Sequence, residues 1–212
     1  MKIVRLCIVG FGKVGRSVAQ VMNRKNAIFK RDGLDIRLVA VSDLWGAMID
    51  EKGLNLRDVL EMKRKKGNIK GVDVIRDVDY DILVEATTTN IDSGEPGLGH
   101  MKAALKKGKH VVTSNKGPLA LQYKKLMSIA RKKEVELRFE ATVGGAMPII
   151  NLARETLAGN EIMSIRGVLN GTTNYILTRM SQDRLPYEHV LSEAKEIGIA
   201  EADPSYDVDG ID

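Results

Sequence analysis

Residues 3–15 read Ile-Val-Arg-Leu-Cys-Ile-Val-Gly-Phe-Gly-Lys-Val-Gly. The run Ile3–Val9 is apolar except for Arg5 and ends on glycine, the pattern of a strand buried on both faces of a parallel sheet. Gly10-x-Gly12-x-x-Gly15 follows, and Val14, Val18, Val21 and Met22 then recur at helical intervals over residues 13–26. A G-x-G-x-x-G spacing alone means little, but placed between a strand and a helix it has a mechanism. The first glycine allows a tight turn, the second lets a pyrophosphate approach the backbone, and the third lets the helix pack closely on the sheet. The helix N-terminus then presents unpaired N–H groups and the positive end of its dipole. The segment is expected to bind a dinucleotide.

Outward from it, short apolar runs alternate with helical patterns. Residues 36–41, 81–86, 109–113 and 136–141 read as strands, and 98–107 and 118–133 as helices, the first stopped by Gly108. This alternation predicts an α/β fold: a Rossmann-type doubly wound parallel sheet over residues 1–143. Past Gly144-Gly145 the pattern changes to a helix at 148–157, a strand at 162–169 and helices at 173–180 and 186–197, with no glycine fingerprint. Residues 144–212 are therefore expected to begin an α+β catalytic domain, incomplete at Asp212.

Composition narrows the function. The chain has 212 residues, with 33 Lys+Arg, 28 Asp+Glu and a net charge of +5. Its single cysteine, Cys7, excludes an internal disulfide framework and suits a reducing, cytoplasmic setting. No apolar run approaches the ~20 residues of a membrane helix, and the first residues lack a signal-peptide pattern. The basic run Lys63-Arg64-Lys65-Lys66 closes a helical stretch at 54–66, where cations complement the helix dipole. With aromatic residues at 4%, the excess charge reads as a solvated helix end, and neither nucleic acid nor membrane is an expected partner.

Several residues carry candidate chemistry. Asp43 ends the second strand, where a carboxylate can accept hydrogen bonds from ribose hydroxyls. Its distance from Gly15 exceeds the usual ~20 residues, which a longer loop at Lys30–Gly33 would explain. Leu44 follows it rather than an arginine able to pair a 2′-phosphate, which favours NAD over NADP, with Lys52 and Lys63 the cations still able to reach one. Cys7 lies inside a strand and is no thiol nucleophile. His100, His110 and His189 lack zinc-ligand spacing. Lys116 follows the strand ending at Thr113, where it could hold a carboxylate, relay a proton or simply sit on the surface. Residues 201–212 hold the carboxylates of Glu201, Asp203, Asp207, Asp209 and Asp212, better suited to an ammonium group than to calcium.

Taken together, the glycine loop, Thr113-Ser114-Asn115-Lys116, residues 140–148 (EATVGGAMP), 167–177 (GVLNGTTNYIL) and Glu201-Ala202-Asp203-Pro204 closely resemble homoserine dehydrogenases, in particular the short archaeal type without fused kinase or regulatory domains. The resemblance covers the whole chain. It implies interconversion of L-homoserine and L-aspartate 4-semialdehyde with NAD or NADP, on the route to threonine and methionine. It further implies that Gly10, Gly12, Val14 and Gly15 cradle the pyrophosphate, that Thr87 lines the nicotinamide side, and that Lys116 lies between cofactor and substrate. Glu201, Asp207 and Asp212 would surround the amino-acid substrate, with Glu201 nearest its ammonium or hydroxyl, and Lys116 and Asp212 would be the catalytic residues. A sodium ion would sit on backbone carbonyls of Val143, Gly145 and Met147, with Glu140 nearby. A homodimer is implied as well. The family's proton-transfer lysine falls a few residues past the position of Asp212, so the chain as written is expected to bind cofactor but turn over poorly. Two other readings stay open on residues alone: another amino-acid dehydrogenase, or a non-catalytic NAD(H)-binding redox sensor.

Overall fold

The computed structural model describes residues 1–61, 70–200, 205 and 209–210. The chain forms two compact units, Met1–Phe139 and Glu140–Asp212.

The first unit is a six-stranded sheet in the order β3-β2-β1-β4-β5-β6. Strand β1 (Lys2–Val9) pairs in parallel with β2 (Leu34–Asp43) on one side and with β4 (Ile82–Glu85) on the other. β5 (His110–Thr113) and β6 (Leu137–Arg138) continue in parallel beyond β4. β3 (Gly46–Ile49) turns back antiparallel to β2 through the two residues Leu44 and Trp45. Helix α1 (Lys13–Arg31) links β1 to β2, and α4 (Gly97–Lys106) and α5 (Lys116–Lys132) make the crossovers after β4 and β5. Two short helices, α2 (Leu56–Glu61) and α3 (Gly71–Asp77), lie between β3 and β4. Chain order reverses between β1 and β4, so both neighbours of β1 leave a crevice at the carboxyl ends of the strands.

The core follows from the apolar runs. Cys7, Ile8 and Val9 of β1, Leu38–Val41 of β2, and Leu83 and Val84 of β4 are buried, as central parallel strands require. Gly15, Ala19 and Met22 form the buried stripe of α1. Each large apolar side chain so buried contributes about 1.5–3 kcal/mol relative to exposure.

Four expectations about element bounds are corrected. The spacing between Gly15 and Asp43 is filled by a 19-residue helix and a 10-residue strand rather than a long loop: Lys30 and Arg31 are the last turn of α1, and only Asp32 and Gly33 connect it to β2. The strand expected at 136–141 pairs only at Leu137–Arg138, because residues 140–142 close into a 3₁₀ turn. The helix expected at 148–157 is a short turn leading into a π-helical segment, Leu152–Thr156. The strand expected at 162–169 does not form: a strand needs a ladder partner, none is present among the described residues, and Ile162, Met163, Ile165 and Val168 are exposed. Of the helical stretch 54–66, α2 accounts for the start, and the basic run Lys63–Lys66 lies outside the described residues.

In the second unit, α6 (Gly171–Asp183) and α7 (Tyr187–Glu196) form a hairpin packed through Ile176, Val190, Ala194 and Ala200. Asn170 caps α6 by accepting the Thr173 N–H at 2.7 Å, and Pro186 opens α7, where the missing N–H costs nothing. Among the described residues no helix is long and apolar enough to cross a membrane.

Candidate functional site

The glycine loop is built as its spacing requires. Gly10 sits at φ +95°, and a Cβ there would lie 2.3 Å from the backbone C and O of Ala86 and 2.5 Å from Thr87 N. Its N–H donates to Ser42 O at 2.8 Å, so one residue ties the ends of β1 and β2 while the end of β4 crosses against it. A Cβ on Gly15 would lie 2.2 Å from Gly10 O, which is how α1 comes so close to the turn. Gly12 differs: a Cβ there would meet nothing within 4 Å. It is the N-cap of α1, no side chain caps the helix, and the first turn holds no acidic residue. An uncapped helix N-terminus beside open space is the geometry that receives a phosphate. The residues therefore fit the dinucleotide expected of Gly10, Gly12, Val14 and Gly15.

Asp43 ends β2 on the same edge of the sheet, half-buried. Its Oδ1 accepts the Trp45 N–H at 2.7 Å, so one carboxylate oxygen shapes the hairpin turn. Leu44 at the tip of that turn is 93% exposed. Trp45, the single tryptophan of the chain, is also exposed beside it.

The carboxyl ends of β4 and β5 meet in a polar cluster. Glu85, fully buried, accepts the Thr87 N–H on Oε1 at 3.2 Å, and the Thr87 hydroxyl donates to the same oxygen. The Thr113 hydroxyl donates to Glu85 Oε2 at 3.3 Å and accepts the Asn115 N–H at 2.9 Å. Asn115 Nδ2 donates toward Thr87 Oγ1 at 3.3 Å and toward the carbonyls of Thr87 and Thr88 at 3.4 Å. His100 Nδ1 stands 3.6 Å from Glu85 Oε1. Gly97 makes room for this packing, since a Cβ there would lie 2.5 Å from Asn115 Nδ2. Thr87 itself remains partly exposed at the mouth. Lys116 is the first residue of α5, half-buried, directly after Asn115. Gly117 lets α5 start close against the β4 loop: a Cβ there would lie 2.1 Å from Asn90 O. The strand ends thus bring Gly10, Thr87 and the start of α5 to one edge of the sheet. Glu85 was not singled out from sequence, although a glutamate closing the apolar run Ile82–Val84 was a visible signal; His100 was weighed only as a zinc ligand, and Asn115 only as part of the Thr113–Lys116 motif.

Cys7 is buried, and burial pushes its thiol up to about 12, so it is a packing residue without thiolate character. In the second unit, Glu140 accepts the N–H groups of Ile150 and Asn151 at 3.0 and 2.7 Å. Its carboxylate therefore caps the turn that follows. Gly144 and Gly145 are both left-handed, at φ +66° and +61°, which folds residues 143–147 into a tight loop. The Met147 carbonyl accepts the Ile149 N–H at 2.9 Å. Glu201, Asp207 and Asp212 lie outside the described residues.

Comparison with known proteins agrees with this geometry. The family model "Homoserine dehydrogenase, NAD binding domain" matches residues 10–140, and the model "Homoserine dehydrogenase" matches residues 148–212. A homoserine dehydrogenase of Methanocaldococcus jannaschii is 52% identical over 98% of this chain and 65% of its own length. An NAD(+)-dependent homoserine dehydrogenase of Pseudomonas canavaninivorans is 38% identical, over 98% of this chain and 62% of its own. Among solved structures, a hyperthermophilic archaeal homoserine dehydrogenase in complex with NADPH aligns with a TM-score of 0.82 at 32% identity, covering 99% of this chain and 66% of that one. The chain thus spans slightly less than two thirds of the length of these relatives. With residues 10–140 and 148–212 both matched by models of one family, and a relative of that family 52% identical over 98% of the chain, the chain belongs to the homoserine dehydrogenases.

Proposed function

We propose that the protein interconverts L-homoserine and L-aspartate 4-semialdehyde with NAD(P), within threonine and methionine biosynthesis. The observation that carries this is the convergence of the open Gly12 face, Thr87 and the start of α5 on one sheet edge, in a chain of this family. Residues 1–143 act as the dinucleotide domain and 144–212 as part of the catalytic domain. Gly10, Gly12, Val14 and Gly15 hold the pyrophosphate through backbone N–H groups. Asp43 takes the adenosine ribose, and with the uncharged Leu44 beside it favours NAD. When bound, NAD(P) supplies the hydride acceptor or donor. Lys116 orients the reacting oxygen and stabilises charge there, while Glu201, Asp207 and Asp212 hold the substrate ammonium. Asp212, like Lys116, is assigned a catalytic role.

A sodium ion on the carbonyls of Val143, Gly145 and Met147 belongs to the same reading. A carbonyl has two lone pairs, so Met147 can accept Ile149 N–H and still face a cation, while Glu140 keeps its two N–H donors nearby. A homodimer is the proposed working form.

Thermal unfolding with NAD, NADP, homoserine and aspartate tests the assignment, alongside homoserine-dependent nicotinamide reduction. Stabilisation by homoserine only in the presence of cofactor supports it. Equal stabilisation by aspartate, or none by either dinucleotide, contradicts it.

A further inference from the structure

The polar cluster behind Thr87 has a direction. A threonine hydroxyl has one proton to donate and two lone pairs. At Thr87 the proton goes to Glu85 Oε1. That oxygen must be an acceptor, because it also takes the Thr87 backbone N–H at 3.2 Å. One lone pair of Thr87 Oγ1 faces Asn115 Nδ2 at 3.3 Å, the nearest of three acceptors that share its two protons. The amide nitrogen is fixed on this side, because two carbonyl oxygens, of Thr87 and Thr88, face it at 3.4 Å. What remains to Thr87 Oγ1 is a single lone pair on a partly exposed residue. Both supporting groups are buried: Glu85 is 0% exposed and Asn115 is 1% exposed. A buried carboxylate is kept only where its hydrogen bonds are met, and here the donors sit on the strand ends that carry the site.

We propose that Glu85 and Asn115 are positioning residues that hold the Thr87 hydroxyl as a pure acceptor, and that this acceptor takes an N–H of the nicotinamide carboxamide. The proposal rests on the reading that the nicotinamide lies at the end of β4. It assigns the orientation of the nicotinamide amide, and through it the ring face turned to substrate, to a buried network that touches neither reactant.

The test is the affinity of the chain for NADH against reduced 3-acetylpyridine adenine dinucleotide, whose methyl ketone lacks the amide nitrogen, read by titration calorimetry. One hydrogen bond corresponds to a preference for NADH of roughly three- to tenfold in the wild-type protein. Thr87→Val abolishes that preference and Thr87→Ser keeps it. Glu85→Met frees the Thr87 proton, which can then go to the carbonyl of either dinucleotide, and so reduces the preference. Glu85→Gln keeps it: the Thr87 N–H requires an oxygen at that end, which puts the new NH₂ opposite the Thr113 hydroxyl, free to turn and accept. Circular dichroism and the melting temperature establish folding for each variant, and the two Thr87 variants carry the test alone if Glu85→Met does not fold. Equal wild-type affinity for the two dinucleotides, an undiminished preference in Thr87→Val, or loss of preference in Glu85→Gln overturns the proposal. Failure of the wild-type chain to bind NADH at all overturns the cofactor reading beneath it.

Discussion

Alanine at each of the three loop glycines separates folding from cofactor binding, because a methyl group meets something different at each. At Gly10 it would enter at φ +95° and lie 2.3 Å from the Ala86 backbone, which cannot swing aside as a side chain tip can. The positive φ costs about 1–2 kcal/mol and the overlap about 1–3 kcal/mol, so Gly10→Ala loses about 2–5 kcal/mol. For a chain of this size that lowers Tm by about 4–20 °C. Gly15→Ala carries only the overlap, with Gly10 O at 2.2 Å, and loses about 1–3 kcal/mol. Gly12→Ala meets nothing within 4 Å at an ordinary φ of −81°, and costs under about 1 kcal/mol as an N-cap change. Its methyl occupies the space assigned to the pyrophosphate, so NADH affinity falls by at least about tenfold. Urea or thermal unfolding gives the first quantity, and NADH titration followed by energy transfer from Trp45 gives the second. A Gly12→Ala protein as destabilised as Gly10→Ala, or one binding NADH as tightly as wild type, refutes the assignment of the open face.

Other consequences are equally specific. In a protein that includes the family's proton-transfer lysine, Lys116→Met lowers turnover by about 100-fold or more while changing NADH affinity far less, as steady-state kinetics beside calorimetry will show; a loss confined to cofactor affinity contradicts its place beside the reacting oxygen. Leu44→Arg adds a cation on a 93% exposed tip, leaves Tm within about 2 °C, and shifts the NADPH-to-NADH affinity ratio upward by about tenfold; an unchanged ratio removes this turn from cofactor selection. Burial raises the Cys7 thiol from 9.0 to about 12, so between those values the unfolded chain loses a proton that the folded one keeps. Stability is full below the lower value and falls as pH rises through the window, and Tyr80, also raised by burial, adds with the same sign. Cys7→Ala flattens the alkaline decline of the urea midpoint, and parallel slopes contradict the assignment.

Much of the first unit was legible because its information is local. The apolar run before Gly10, the glycine spacing and the helical period after it each constrain a few neighbouring residues, and they reappear as β1, the turn and α1. The β2–β3 hairpin escaped because its turn residues, Leu44 and Trp45, carry none of the usual Asn-Gly or Asp-Gly chemistry; the Asp43 side chain shapes the turn instead. The apolar alternation at 162–169 suggested a strand, but alternation describes a face and not a partner, and no ladder forms there among the described residues. Glu85, His100, Thr113 and Asn115 are spread over 31 positions, from 85 to 115, and only the parallel register of β4 and β5 brings them together. Such a cluster is invisible to spacing rules. Lys116 was legible from its place after a strand end, Thr87 only by resemblance, and what the structure adds is the buried carboxylate that ties Thr87 to the strand ends behind it.

The most direct test of a dinucleotide at the β1–β4 crevice is an amide nitrogen–proton correlation spectrum recorded during NADH titration. Saturable shifts are expected, largest at Gly12, Lys13, Val14, Gly15 and Thr87, with smaller ones at the Leu44–Trp45 turn. Saturable binding that leaves the Gly12–Gly15 amides unmoved, or shifts confined to the second unit, would contradict that placement.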